Sequence, residues 1–212
     1  MAGRLRAVGW WAVLPFLSWL ALGCRSGVDR PPSAGAGGLT EGPTRWLMLP
    51  EELHQAERLR TSRDAVEFVE AFWRRRDPDP SQPGNEFAKT FYQRVEAADR
   101  LYGEGGVRGS LTDRGRALVL LGPPPILRYS QKRAPTMEPG KPGARPVIHS
   151  RNLVLEIWAY PVKDLPPALA RLLGDLAPED EVTLTFLVAA RRTELIEGEK
   201  VLEMAARAAA GE

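Results

Sequence analysis

The sequence predicts an α+β fold in which N-terminal helices pack on a small, mainly antiparallel three-stranded sheet and one more helix ends the chain. Two observations carry this expectation. Between residues 50 and 103 apolar side chains recur at steps of three and four, the spacing of a single helix face. From residue 116 onward they come in short runs rich in β-branched and aromatic types, the signature of strands. Helices first and sheet later is the α+β order of elements.

The first helix is expected over residues 50–59, with Pro50 in its first turn and Leu53, Ala56 and Leu59 on one side. The second starts at Thr61 or Ser62, where Thr61 and Asp64 have capping-box spacing. Val66, Val69, Phe72 and Trp73 form its apolar stripe, and Arg74, Arg75 and Arg76 fill its last turn, where cations suit the helix macrodipole. The third follows an Asn85 cap with Phe87, Phe91, Val95, Ala98 and Tyr102 in register, and Gly103 closes it. Strands are expected at 116–121 (RALVLL), 153–160 (LVLEIWAY) and 181–188 (EVTLTFLV). Between the first two, residues 122–146 are too rich in Pro and Gly for regular structure. A short helix is expected over 166–173 and a last one over 199–210.

Ahead of this domain the grammar changes. Arg4 and Arg6 precede an apolar stretch from Val8 to Leu22, interrupted by Gly9, Pro15 and Ser18, and then come Gly23 and Cys24. A basic head, a short apolar segment and small residues make an export signal, and the segment falls short of the roughly 20 apolar residues that span a bilayer. Cys24 is the only cysteine of the 212 residues, so it has no disulfide partner within the chain. The sequence Ala21-Leu22-Gly23-Cys24 resembles the lipobox of bacterial lipoproteins, with Ala21 where Leu is commonest. That resemblance implies diacylglycerol on the Cys24 thiol and Cys24 as the mature N-terminus. Two or three acyl chains then hold the protein stably at a membrane. The alternatives are an ordinary secretory signal cut nearby and a permanent membrane anchor. Since Arg25 is not the Asp that retains lipoproteins at the inner membrane, the expected place is the cell envelope, on the periplasmic face of the outer membrane. The domain boundaries that follow are signal peptide 1–23, flexible tether 24–43, whose Gly, Pro, Ala and Ser cannot repay an ordering entropy, and folded domain 44–212.

Loss of residues 1–23 removes two arginines and no acid, taking the formal charge from +2 to 0. A nucleic-acid partner calls for a net basic face and is not expected. Metal chemistry is poorly provided for, since His54 and His149 lie on unrelated segments and neither HExxH nor CxxC occurs. There is no GxSxG elbow for a nucleophile. No cofactor is expected, and the chain reads as no enzyme. The one catalytic alternative is a cell-wall hydrolase with Glu86 and Asp113 as a carboxylate pair.

Five pieces now stand in order: Trp46-Leu47, FVEAFWRRRDP at 68–78, NEFAKTFYQRVEAAD at 85–99, GSLTDRGRALVLLGPP at 109–124 and LEIWAY at 155–160. Together they resemble the GWxTD-domain family of bacterial envelope proteins, many of which carry lipoprotein signals. The resemblance implies no established catalytic activity. The naming motif falls on Gly109, Ser110, Leu111, Thr112 and Asp113, followed by Arg114 and Gly115, so that Gly, Thr and Asp hold and the Trp is Ser110. Thr112 and Asp113 are also plain turn-formers, whose short side chains bond nearby amides ahead of a strand.

The stretch from Gly122 to Arg151 carries Arg128, Lys132, Arg133, Lys141, Arg145 and Arg151 against Glu138 alone, on a mature chain of zero charge. Such a run is either a solvated loop or an arm that meets an anionic partner, whether an envelope protein or an anionic cell-surface component.

Overall fold

The computed structural model describes residues 39–138, 147–174, 177, 180–190 and 192–212, with backbone alone over 136–138 and 147–151. Cys24 and the expected signal peptide lie outside these residues, as do Lys141 and Arg145. Within the stretch expected to be tether, Leu39 is buried in the core, and a 3-10 helix spans Pro43–Leu47. Four helices follow: α1 (Pro50–Glu57), α2 (Ser62–Arg75), α3 (Glu86–Leu101) and α4 (Asp113–Leu121). Strands β1 (Ile126–Glu138) and β2 (Val147–Pro161) come next, then α5 (Pro167–Leu173), β3 (Glu181–Val188), β4 (Thr193–Glu197) and α6 (Glu199–Ala209). Among the described residues no helix is long and apolar enough to cross a membrane.

The first three helices form where their caps put them, but the buried face of α2 is Ala65, Phe68 and Phe72, and Val66 of its expected stripe is exposed. Thr61 accepts the Asp64 N–H while Asp64 accepts that of Thr61, completing the capping box of α2. Asn85 accepts the Ala88 N–H at the start of α3. Phe72, Phe91, Val95 and Ala98 are buried as their spacing requires. Arg76 departs from expectation. Instead of reaching solvent at the end of α2, its side chain is wholly buried with that of Glu52 from α1, Nη2 lying 2.6 Å and Nη1 3.0 Å from the two carboxylate oxygens. The same guanidinium donates to the carbonyls of Leu47 (2.7 Å) and Phe72 (3.1 Å) and lies over the Phe72 ring. Glu52 also accepts the Leu49 N–H at the start of α1. One ion pair thus ties the 3-10 helix, α1 and α2 together.

The sheet has four antiparallel strands in the order β1-β2-β3-β4, not three. Two of the expectations are corrected here. Residues 116–121 are helix: Thr112 caps α4 by accepting the Gly115 N–H, and Gly122, with φ of 87°, ends it by donating to the Leu118 carbonyl. Ala117, Leu118 and Val119 are all buried, so the second half of this helix shows no polar face and its apolar run mimics a strand. The supposedly irregular stretch from Gly122 contains β1, thirteen residues long. Pro135 is tolerated within it because β1 is an edge strand. Residues 132–138 pair with 147–153 beyond the end of β3, so the cationic arm begins as a two-stranded ribbon.

Trp158 and Tyr160 of β2 enter one core with Val182, Leu184 and Phe186 of β3 and with Phe72, Phe91, Leu118 and Leu202 of the helices. Trp158 sits between Tyr102 and Phe186, at 5.6 and 5.1 Å between ring centroids.

Candidate functional site

The Gly-x-x-Thr-Asp-Arg-Gly stretch crosses from α3 to α4 through a 3-10 helix, Gly109–Leu111. Gly109 lies so close to the end of α3 that a Cβ on it would overlap the Ala98 carbonyl, and a Cβ on Gly115 would overlap the carbonyl of Gly109. Both glycines therefore set how tightly the two helices cross. The Thr112 hydroxyl donates to the Gly109 carbonyl (2.8 Å) and accepts from the Gly115 N–H (3.1 Å), which fixes the turn between them.

Asp113 reaches across the fold and accepts the N–H of Leu195 at 2.8 Å, joining the start of α4 to edge strand β4. Arg114 lies between Glu104 and Glu156, 3.3 Å from each, with its guanidinium against the Tyr102 ring. Glu156 in turn accepts the Trp158 indole N–H at 2.6 Å, and Glu104 accepts the Thr193 N–H at 3.0 Å. Arg116 pairs with Glu199 of α6 and lies over the Trp46 ring. Burial raises the pKa of Asp99, but hydrogen bonds from Arg108 and from Ser110 outweigh it and hold the carboxyl below the ordinary range. The motif is a clasp between helix and sheet.

The GWxTD domain profile matches residues 41–136. This segment is a GWxTD domain. No curated protein and no solved structure matches the chain. The match ends in β1, so the LEIWAY piece at 155–160 lies beyond it, although Glu156 from that piece completes the contacts of Arg114.

In this GWxTD domain Ser110 is the residue at which the motif resemblance expects the Trp. It is fully buried, and among the described residues its Oγ has no partner in good hydrogen-bond geometry. An indole still meets the turn from elsewhere: Trp46 Nε1 donates to the Ser110 carbonyl at 2.9 Å. Because a buried hydroxyl without a partner costs about 1–3 kcal/mol of desolvation, Ser110→Ala is expected to leave the domain as stable or more so. Thermal denaturation checks this, and a lowered melting temperature would mean that the hydroxyl has a partner.

The remaining candidates are scattered. Arg128 pairs with Glu181 at 2.8 Å, while Lys132 and Arg133 are exposed along β1. Glu86 and Asp113 are not brought together as a carboxylate pair. Glu86 opens α3 and pairs with Lys89, whereas Asp113 stands beside the far end of α3, where Asp99 binds the Ser110 N–H. Thirteen residues of helix rise by about 20 Å, and glycosidase carboxylates stand within about 10 Å of one another.

An extensive cleft among the described residues lies at the end of α4. It measures about 990 Å³ and is walled by the N-terminal half of α3, the end of α4, Tyr160, α5 and the end of α6. The periodicity of α3 hides its main polar group, because Arg94 falls on the flank of the apolar stripe. Its Nη1 donates to the carbonyls of Val119 (3.3 Å) and Leu120 (3.2 Å), which α4 leaves unpaired at its end. Burial lowers the pKa of the Arg94 guanidinium, and it raises that of the Tyr160 hydroxyl, which donates to the Gly122 carbonyl.

Proposed function

We propose that this GWxTD-domain protein is a lipid-anchored protein of the bacterial cell envelope whose folded domain binds or scaffolds without catalysis. The observation that carries the non-catalytic part is the use of the motif: Thr112, Asp113, Arg114 and Gly115 are all taken up by contacts within the fold. The anchor rests on Cys24 following the export-type apolar run. On this reading acyl chains on Cys24 hold the protein at the periplasmic face of the outer membrane. Residues 24–38 act as a tether, and Lys132 and Arg133, with Lys141 and Arg145, are available to an anionic partner.

Cys24→Ala is expected to abolish incorporation of a labelled fatty acid and to leave uncleaved precursor, as read by metabolic labelling and by the mass of the purified chain. Unchanged labelling would end the lipoprotein reading. Cross-linked pull-down of the lipidated protein from its own envelope tests the binding role. Turnover of peptidoglycan by the wild-type chain would replace that role with a hydrolytic one.

A further inference from the structure

We infer that the cleft between α3, α5 and α6 is a binding site for a long-chain carboxylate, with Arg94 as the group that takes the head. This rests on the reading of the domain as a binding module and names its ligand class. Three observations carry it. The walls are mainly apolar, supplied by Leu47, Phe87, Phe91, Leu121, Leu165 and Leu169 among others. Pro78, Pro123, Pro125 and Pro166 also line the cleft, and proline offers no backbone N–H. A peptide lying there would find few backbone partners, whereas an acyl chain needs none.

The third observation is the state of Arg94. Its guanidinium is half-buried, yet it forms no ion pair among the described residues, and one nitrogen alone is engaged, with two carbonyls. Guanidinium offers five N–H donors in a planar fork that fits a carboxylate. The other cations of the cleft are spent, since Arg75 and Arg76 both pair with Glu52. Three acids line it as well. Asp77 bonds the Asp79 N–H in its own turn, Glu86 pairs with Lys89, and Asp164 is exposed to water. A cationic group partly removed from water beside an apolar trough matches an amphiphile with one negative end. A cleft of about 990 Å³ is at the upper end of the range for small-molecule sites.

The test is photo-crosslinking of the full-length chain in membranes with a palmitate bearing a mid-chain diazirine, followed by peptide mapping. Label is expected on peptides carrying Phe87, Phe91, Leu121 or Leu169, and unlabelled palmitate should compete at least tenfold better than hexadecanol. Arg94→Gln should lower labelling at least fivefold in a chain that still unfolds cooperatively, and Arg94→Lys should retain most of it. Because Arg94 also caps α4, a second variant guards against misfolding: Ala168→Trp fills the cleft without touching Arg94 and should abolish the label. Equal competition by hexadecanol, label confined to other surfaces, or labelling indifferent to Ala168→Trp would each overturn the inference. A chain that captures an envelope partner yet takes no label in the cleft would keep the binding-module reading and lose this ligand.

Discussion

Arg76→Met is expected to destabilise the domain by about 3–5 kcal/mol, because it leaves the Glu52 carboxylate buried without its countercharge. Both side chains are fully buried, and Arg76 also satisfies the Leu47 and Phe72 carbonyls. The loss is therefore more than one contact. In a domain of this size it should lower the melting temperature by on the order of 10 °C. Arg75 approaches Glu52 at 3.3 Å from a half-exposed position and can take over only part of the role. The double variant Glu52→Leu with Arg76→Met should recover much of the loss, since an apolar pair can replace a buried ion pair at little cost. Recovery should be incomplete, because Glu52 also caps α1 through the Leu49 N–H. Denaturant unfolding of the two variants checks both statements. A single variant as stable as the wild type would mean that Glu52 reaches water.

Trp158→Ala is expected to cost a comparable ~3–5 kcal/mol, the usual range for removing a large buried aromatic side chain. The indole is 1% exposed and lies between Tyr102 and Phe186, so its removal opens a cavity at the junction of helices and sheet. A second effect adds to the first. Glu156 is itself buried and accepts the indole N–H, so truncation takes a hydrogen bond from a carboxylate that Arg114 alone then partners. Trp158→Phe separates the two effects: it keeps most of the volume and loses the N–H, and it should cost about 1.5–3 kcal/mol. If the two variants were equally destabilised, the hydrogen bond rather than the packing would dominate.

The sequence and the fold agree where local signals act alone. The Thr61–Asp64 box and the Asn85 cap lie next to apolar stripes with helical spacing, and α2 and α3 form as expected from them. Agreement fails where burial erases the pattern. The run from Ala117 to Leu121 is apolar throughout because the second half of α4 is packed between helices and sheet, and periodicity alone cannot separate such a run from a buried strand. The deciding signals were its ends, Thr112 as cap and Gly122 as terminator, nine helical residues apart. Strand β1 was concealed by Pro135 and by the prolines before it, which argue against a central strand but not against an edge. Strand β4 is five residues long, with charged Glu194 and Glu197, and offers almost no alternation.

The site was less legible than the fold. The motif could be located, but Asp113 meets Leu195, and Arg114 meets Glu156, across more than forty residues of sequence. Nothing local encodes those pairings. Arg94 is one of many arginines, and only the turn of α3 and the end of α4 show that it lines a largely apolar cleft, where it forms no ion pair among the described residues. Glu86 and Asp113, plausible as a pair by residue type, are separated by the length of a helix that the sequence itself predicts.

The central claim is that the Thr-Asp-Arg motif is a clasp between α4 and the sheet rather than a place where chemistry occurs, and Asp113 tests it most directly. Amide hydrogen exchange and thermal unfolding should be measured together on the wild type, Asp113→Asn and Asp113→Ala. The clasp requires that Asp113→Ala speed exchange at the Leu195 amide and lower stability by about 1.5–3 kcal/mol, the range for a hydrogen bond to a charged group. Asp113→Asn, which keeps an acceptor oxygen, should lie closer to the wild type. Unchanged exchange and stability in Asp113→Ala, together with loss of partner binding or of any turnover, would contradict the clasp and make Asp113 a functional group.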